Sequence, residues 1–164
     1  MNGRKTLILF VMVLIVSMAL APGTAAAQAT VTDFTGTEIL VDLLHPGDIS
    51  ISPGGAWKGR GRVWKLYHDT TDPRMTGTVI VTSNMNSNPF DEGPAWGTMK
   101  VAPEEYDGTW EATWHSPPGR PDIITAIGHG TGEFEGMTAW WTFTYEENNP
   151  NGSISGRILD PHSE

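Results

Sequence analysis

Apolar and polar residues alternate along most of the chain after residue 28, and hardly any stretch has helical spacing. Thr, Val, Ile and Trp fill the alternating stretches, and Gly or Pro interrupts them at short intervals. A period of two places successive side chains on opposite faces of an extended strand. We predict eight main strands, at 30–44, 57–68, 75–84, 96–101, 109–115, 123–134, 137–145 and 153–159. A further short strand is predicted at 49–51. This pattern is typical of an all-β barrel or sandwich.

One predicted strand carries Gly128, Gly130, Gly132 and Gly136 on a single face, together with Phe134. Glycine weakens a strand unless the chain must coil sharply there or a neighbouring backbone or ring must come close. A small closed barrel requires such positions. We therefore predict an eight-stranded antiparallel up-and-down β-barrel, whose interior holds either packed side chains or one small ligand.

The N-terminus has the pattern of an export signal. Arg4 and Lys5 precede an apolar run over 6–21, and small residues follow. This pattern predicts a secretory signal peptide at 1–27 and a single β-barrel domain at 28–164. An uncleaved N-terminal anchor is the alternative. With cleavage, we expect a secreted or periplasmic protein that has no membrane contact.

Charge and cysteine content narrow the classes of partner. The formal net charge is −9, and removal of Arg4 and Lys5 makes it −11, which argues against nucleic acid and anionic membranes. The sequence has no cysteine, so stability must come from burial and sheet closure rather than disulfides. The histidines lack zinc-type spacing, and no phosphate loop is present. We expect neither a metal nor a cofactor.

The segment Gly130-Thr131-Gly132-Glu133-Phe134-Glu135-Gly136 resembles the Gly-x-Gly-x-Phe-x-Gly segment of the allene oxide cyclase and dirigent protein barrels. Those calycin-like barrels have eight antiparallel strands around an apolar cavity. They bind reactive lipid epoxides or phenolic radicals and guide cyclisation or coupling largely by shape. The resemblance implies the same barrel here, with a cavity for a small apolar molecule.

Two groups of residues are candidates for catalysis. Arg60 and Arg62 share a predicted strand face, and inside a barrel they would fix an anionic or enolate-like group. Solvated arginines on the outer surface are the alternative. His129 and Glu133 would act in acid–base chemistry if both pointed inward, each with a partner on an adjacent strand. A structural or exposed histidine is the alternative.

Aromatic residues are the candidates for ligand binding, with barrel core as their alternative role. The residues in question are Trp64, Tyr67, Trp96, Trp110, Trp114, Phe134 and Trp141. The leading hypothesis is an exported barrel that binds a small apolar or aromatic molecule and acts as a cofactor-independent cyclase or isomerase. The alternatives are a lipocalin-like carrier, a Trp-based glycan-binding module and a structural or assembly subunit. The sequence leaves an oligomer open.

Overall fold

A computed structural model describes residues 28–88, 93–120, 122–146 and 151–162. The predicted signal peptide, residues 1–27, lies outside the described residues. Among the residues described, no helix is long and apolar enough to cross a membrane. Within these ranges the chain forms β-strands and a short 3₁₀ turn, as the alternating pattern predicts.

The strands lie close to their predicted positions. In chain order they are β1 (Thr30–His45), β2 (Asp48–Ile51), β3 (Trp57–Thr70), β4 (Gly77–Ser87), β5 (Ala95–Pro103), β6 (Gly108–Ser116), β7 (Ile123–Gly132), β8 (Thr138–Tyr145) and β9 (Gly152–Asp160). The 3₁₀ turn spans Pro73–Met75, between β3 and β4. Met75 was predicted to open a strand. It lies in the turn instead, because Asp72 accepts a hydrogen bond from the Arg74 amide and Pro73 favours a helical start.

The sheet closes on itself. Each strand from β3 to β9 pairs antiparallel with the next, β9 pairs with β1, and β1 pairs with β3. The short β2 follows β1 after Pro46 and Gly47 and pairs with the first residues of β3. The barrel therefore has eight strands, and the predicted antiparallel up-and-down fold is confirmed.

Alternation within the strands builds the interior. In β6, Trp110, Ala112 and Trp114 are buried, whereas Glu111 and Thr113 between them are exposed. Burying the apolar set and hydrating the polar set stabilises this orientation, because a slip of one residue would reverse both faces. The largest fully buried side chains include Trp110, Trp141, Phe34, Phe134 and Phe143.

A β-bulge changes the parity of β3. Gly59 pairs with Met85 and Arg62 pairs with Ser83, so two residues of β3 lie opposite one residue of β4. Gly61, inside this irregularity, has a φ of 65°, which glycine adopts at little cost. Arg60 and Arg62 therefore lie on opposite faces, and the prediction that they share one is wrong.

The glycines of β7 admit bulky neighbours, as predicted. A β-carbon at Gly128 would lie 2.9 Å from the Trp141 ring, and one at Gly130 would lie 2.1 Å from the Phe134 carbonyl oxygen. Strand β7 ends at Gly132 rather than at Phe134, because Gly132 has a φ of 63° and begins a turn. Phe134 is buried in this turn and stacks on Trp110 with ring centroids 5.0 Å apart. It helps to close that end of the barrel.

Candidate functional site

The barrel interior is hollow toward the end where β2 lies. A cavity of about 220 Å³ occupies this region. Its lining residues come mostly from the inward faces of seven strands: Glu38, Leu40, Trp64, Leu66, Val81, Ser83, Met99, Trp114, Ile124, Phe143 and Tyr145. Most of these side chains are aliphatic or aromatic, so the cavity suits an apolar molecule with few polar groups.

The cavity continues into an outer chamber at the mouth of the barrel. This chamber has a volume of about 290 Å³ and shares Trp64, Ser83, Trp114 and Ile124 with the inner cavity. Among the described residues that line it, Arg62 is the charged one. The two cavities are therefore neighbours, with Arg62 in the outer one.

A buried polar cluster lies at the inner part of the cavity. Glu38 is only 2% exposed. Its Oε2 atom is 3.1 Å from Nε2 of His68, and its Oε1 atom accepts a hydrogen bond from the Tyr145 hydroxyl. Glu38 and Tyr145 line the cavity, whereas the fully buried His68 lies behind Glu38.

Strand register brings these three residues together. Glu38 of β1 is the cross-strand partner of His68 on one side and of Gly152 on the other. Gly152 is in turn the partner of Tyr145. A β-carbon at Gly152 would lie 2.9 Å from the Tyr145 ring. Because Gly152 has no side chain, the Tyr145 ring can pass over β9 and reach Glu38.

The electrostatics of the cluster favour a neutral tyrosine beside a carboxylate. Burial raises the pKa of Tyr145 far above its ordinary value, and the charge of Glu38 and the hydrogen bond to it act in the same direction. The hydroxyl therefore keeps its proton. The other ring nitrogen of His68, Nδ1, has no hydrogen-bond partner among the described residues. The ring is instead 5.5 Å from that of Phe143, in apolar surroundings.

Three of the residues predicted from the sequence line the cavity or its mouth. They are Arg62, Trp64 and Trp114. Arg60, by contrast, lies on the other side of the bulge, where its guanidinium donates to the carbonyl oxygens of Gly59 and Met85. It also lies 5.2 Å from the centre of the Trp96 ring. Arg60 and Trp96 are thus absent from the cavity lining.

The predicted acid–base pair lies outside the barrel. His129 and Glu133 are both exposed, so the inward orientation that this role required is not met. His129 alternates with the buried Gly128 and Gly130, and Glu133 accepts a hydrogen bond from the Asp107 amide in an end turn. These two residues therefore cannot act as an acid–base pair inside the barrel.

The remaining predicted ligand-binding residues also lie away from the cavity. Tyr67 alternates with the cavity residue Leu66 and the buried His68, which places it on the outer face of β3. Trp110, Phe134 and Trp141 are buried core residues that do not line the cavity. Their packing against one another and against glycines accounts for their burial.

Neither Glu38 nor Tyr145 was among the site residues predicted from the sequence. Strand alternation could have pointed to Glu38, because this acidic residue lies on the same face of β1 as the buried Phe34. The pairing with His68 was not visible, since it depends on closure between β1 and β3. Among the described residues, no three acidic or histidine side chains are grouped so as to hold a metal ion.

No protein family matches the chain, and no curated protein is significantly similar to it.

Proposed function

We propose that this protein is an exported barrel that binds a small apolar or aromatic molecule and catalyses a cofactor-independent isomerisation or cyclisation. The observation that carries the proposal is the buried Glu38, hydrogen-bonded by Tyr145 and His68, on the wall of an apolar cavity. A group whose pKa is perturbed by burial, as that of Tyr145 is, is typical of an active-site cavity. The segment resembling allene oxide cyclase and dirigent barrels is consistent with this proposal.

Glu38 is the general base in the proposed reaction. Its carboxylate takes a proton from an acidic C–H bond of the substrate, and the electron pair moves into an adjacent carbonyl or double bond. The same carboxyl then returns the proton at another carbon. Atoms and electrons balance within the substrate, so the reaction needs no cofactor.

Tyr145 and His68 support this base in different ways. Tyr145 stays protonated because burial raises its pKa, and its hydroxyl donates a hydrogen bond to Glu38, which holds the carboxylate at the cavity wall. His68 is the positioning residue, since its Nε2 atom contacts the Glu38 oxygen that Tyr145 does not. Two contacts also offset part of the cost of burying the carboxylate.

A non-catalytic carrier is the second candidate. The observation that favours it is that, apart from Glu38, Ser83 and Tyr145, the cavity wall is apolar. A carrier needs only shape and apolar surface, and Glu38 would then hydrogen-bond a polar end of the ligand. Both candidates place the ligand in the same cavity, so they differ only in chemistry.

Native mass spectrometry of the purified protein tests for a co-purifying molecule, which can then be extracted and identified. That molecule is next incubated with the protein in D₂O, and deuterium incorporation and isomer formation are followed by NMR. We expect exchange with the wild-type protein, at least a hundredfold slower exchange with Glu38→Gln, and retained binding by this variant. Glu111→Gln, which alters an exposed carboxylate on β6, is the control.

The outcomes separate the candidates. Binding without any proton exchange would refute catalysis and leave the carrier. Exchange that survives in Glu38→Gln would refute the assignment of the base. If no molecule accompanies the protein and apolar probes do not quench Trp64 and Trp114 fluorescence, ligand binding in the cavity is wrong.

A further inference from the structure

Arg62 has an unusual position for a cation. Its guanidinium lies at the cavity mouth, 5.4 Å from the centre of the Trp64 ring. Its Nε atom donates a long hydrogen bond of 3.4 Å to the Pro46 carbonyl oxygen. In the described part of the chain, no carboxylate forms an ion pair with it.

Other arginines show how a guanidinium is satisfied elsewhere in the barrel. Arg74 makes two hydrogen bonds to the Asp72 carboxylate, and Arg120 makes two to that of Asp122. Arg60 donates to two carbonyl oxygens and to the Asn86 side chain. Arg62 is only partly exposed but lacks partners of this quality. Its donors are available to a ligand that enters the mouth.

We infer, on the basis of the proposed function, that the ligand is an amphipathic monoanion bound with its anionic group at Arg62. A carboxylate is the simplest such group, because guanidinium donors match its geometry. The apolar body then lies along Trp64 and Trp114, and a proton-bearing group reaches Glu38. A second anionic group would find no cationic side chain among the described residues that line the inner cavity.

Strand geometry sets the length of this ligand. Arg62 and His68 are six residues apart on β3, or roughly 20 Å along the strand, and His68 contacts Glu38. The two side chains cover part of that distance. A short carboxylate therefore cannot contact both ends of the site, whereas a molecule with an extended apolar body can.

The negative net charge of the protein bears on how an anion could be preferred. The formal net charge is −9, so the overall field repels anions. A preference for an anion over a neutral molecule of the same shape must then come from local contacts. In the described part of the mouth, Arg62 is the charged residue that can make such a contact.

Titration calorimetry with dodecanoate, dodecanol and hexanoate tests the inference. We expect the wild-type protein to bind dodecanoate roughly tenfold more tightly than dodecanol, the value of one hydrogen bond to a charged group, and to bind hexanoate weakly. Arg62→Gln should remove the preference for dodecanoate, and Arg62→Lys should retain part of it. Arg60→Gln should behave as the wild type, because Arg60 lies across the bulge and outside the cavity lining.

Each result has a defined meaning. Equal binding of dodecanoate and dodecanol by the wild type would overturn the anion inference and leave the cavity proposal standing. A preference that persists in Arg62→Gln, or disappears in Arg60→Gln, would also overturn it. Failure of both long probes to bind the wild type would refute the cavity itself. Circular dichroism of each variant confirms that the barrel is folded.

Discussion

The two ends of the barrel are built from the same strands but differ in how they are filled. Trp110 and Trp114 show the difference, since they lie four residues apart on the inward face of β6. Trp110 is fully buried and stacks on Phe134, and its Nε1 atom donates to the Arg74 carbonyl oxygen at 2.8 Å. Trp114 borders the cavity, and its Nε1 atom has no hydrogen-bond partner among the described residues.

Connecting segments account for the closed end. The 3₁₀ turn places the buried Met75 there, and the turn after β7 returns Phe134 to the barrel axis. The connection between β5 and β6 is hydrogen-bonded to both, since the Glu104 amide donates to the Thr76 carbonyl oxygen and the Asp107 amide donates to the Glu133 carboxylate. Apolar side chains from turns thus fill the space that the strand residues leave.

The open end has no equivalent plug among the described residues. Pro46, between β1 and β2, lines the outer chamber together with Trp57 and Arg62 of β3. The barrel interior behind these residues is hollow. The two ends of the barrel therefore have different roles. One end contributes most of the packing, and the other keeps the space in which a molecule can bind.

Truncating the two tryptophans provides the strongest test of this comparison. Trp110→Ala should destabilise the protein by about 4 kcal/mol, because it removes a fully packed ring and leaves a cavity. Trp114→Ala should cost only about 2 kcal/mol, since one side of that ring already faces empty space. Urea unfolding followed by far-ultraviolet circular dichroism measures both values. Equal costs would show that the two ends are packed alike.

Adding one methyl group to each end is the second test. Gly130→Ala should destabilise by about 3 kcal/mol, because the new carbon would overlap the Phe134 backbone and the turn must move. Gly54→Ala is the matched control in the β2–β3 turn, where no atom lies within 4 Å of the added carbon. We expect it to change stability by less than about 0.5 kcal/mol. A tolerated Gly130→Ala would contradict the tight closure of this end.

The sequence predicted the barrel well because local patterns determine it. Alternation and the glycines of β7 predict a closed antiparallel barrel, and this fold is confirmed. The position of Arg60 was wrong because a bulge reverses parity, and only the pairing of Gly59 and Arg62 with β4 shows it.

The candidate site was harder to predict because its residues come from distant parts of the chain. Glu38 and Tyr145 are 107 residues apart in sequence, and they meet only after β9 has paired with both of their strands. His129 and Glu133 were predicted as an acid–base pair because of their side-chain chemistry. Strand alternation leaves His129 on the exposed face of β7, and Glu133 is exposed in the turn that follows. Residue chemistry without strand register therefore selected two residues that lie outside the barrel.

The smallest expected effect concerns two Asp–Arg pairs with the same spacing, one at each end. Asp72 and Arg74 lie at the closed end with side chains 8% and 19% exposed, whereas Arg120 and Asp122 lie at the open end and are 58% and 42% exposed. Burial alone would raise the pKa of Asp72, but the hydrogen bonds from Arg74 outweigh it and the pKa lies below its usual value. The hydrogen bond from Arg120 likewise lowers the pKa of Asp122, although the Asp122 side chain is exposed to solvent.

Asp72→Asn should therefore destabilise the protein by about 1 kcal/mol at neutral pH, whereas Asp122→Asn should leave the unfolding midpoint unchanged. A carboxyl whose pKa is lower in the folded state stabilises the protein above its unfolded pKa of about 3.9, and this contribution disappears as pH falls through the folded value. The gap between wild type and Asp72→Asn should accordingly narrow below about pH 4. Thermal unfolding of both variants from neutral to acidic pH measures it. A gap that does not change with pH would contradict this role of the Asp72 charge, because asparagine keeps the acceptor for the Arg74 amide and lacks only the charge.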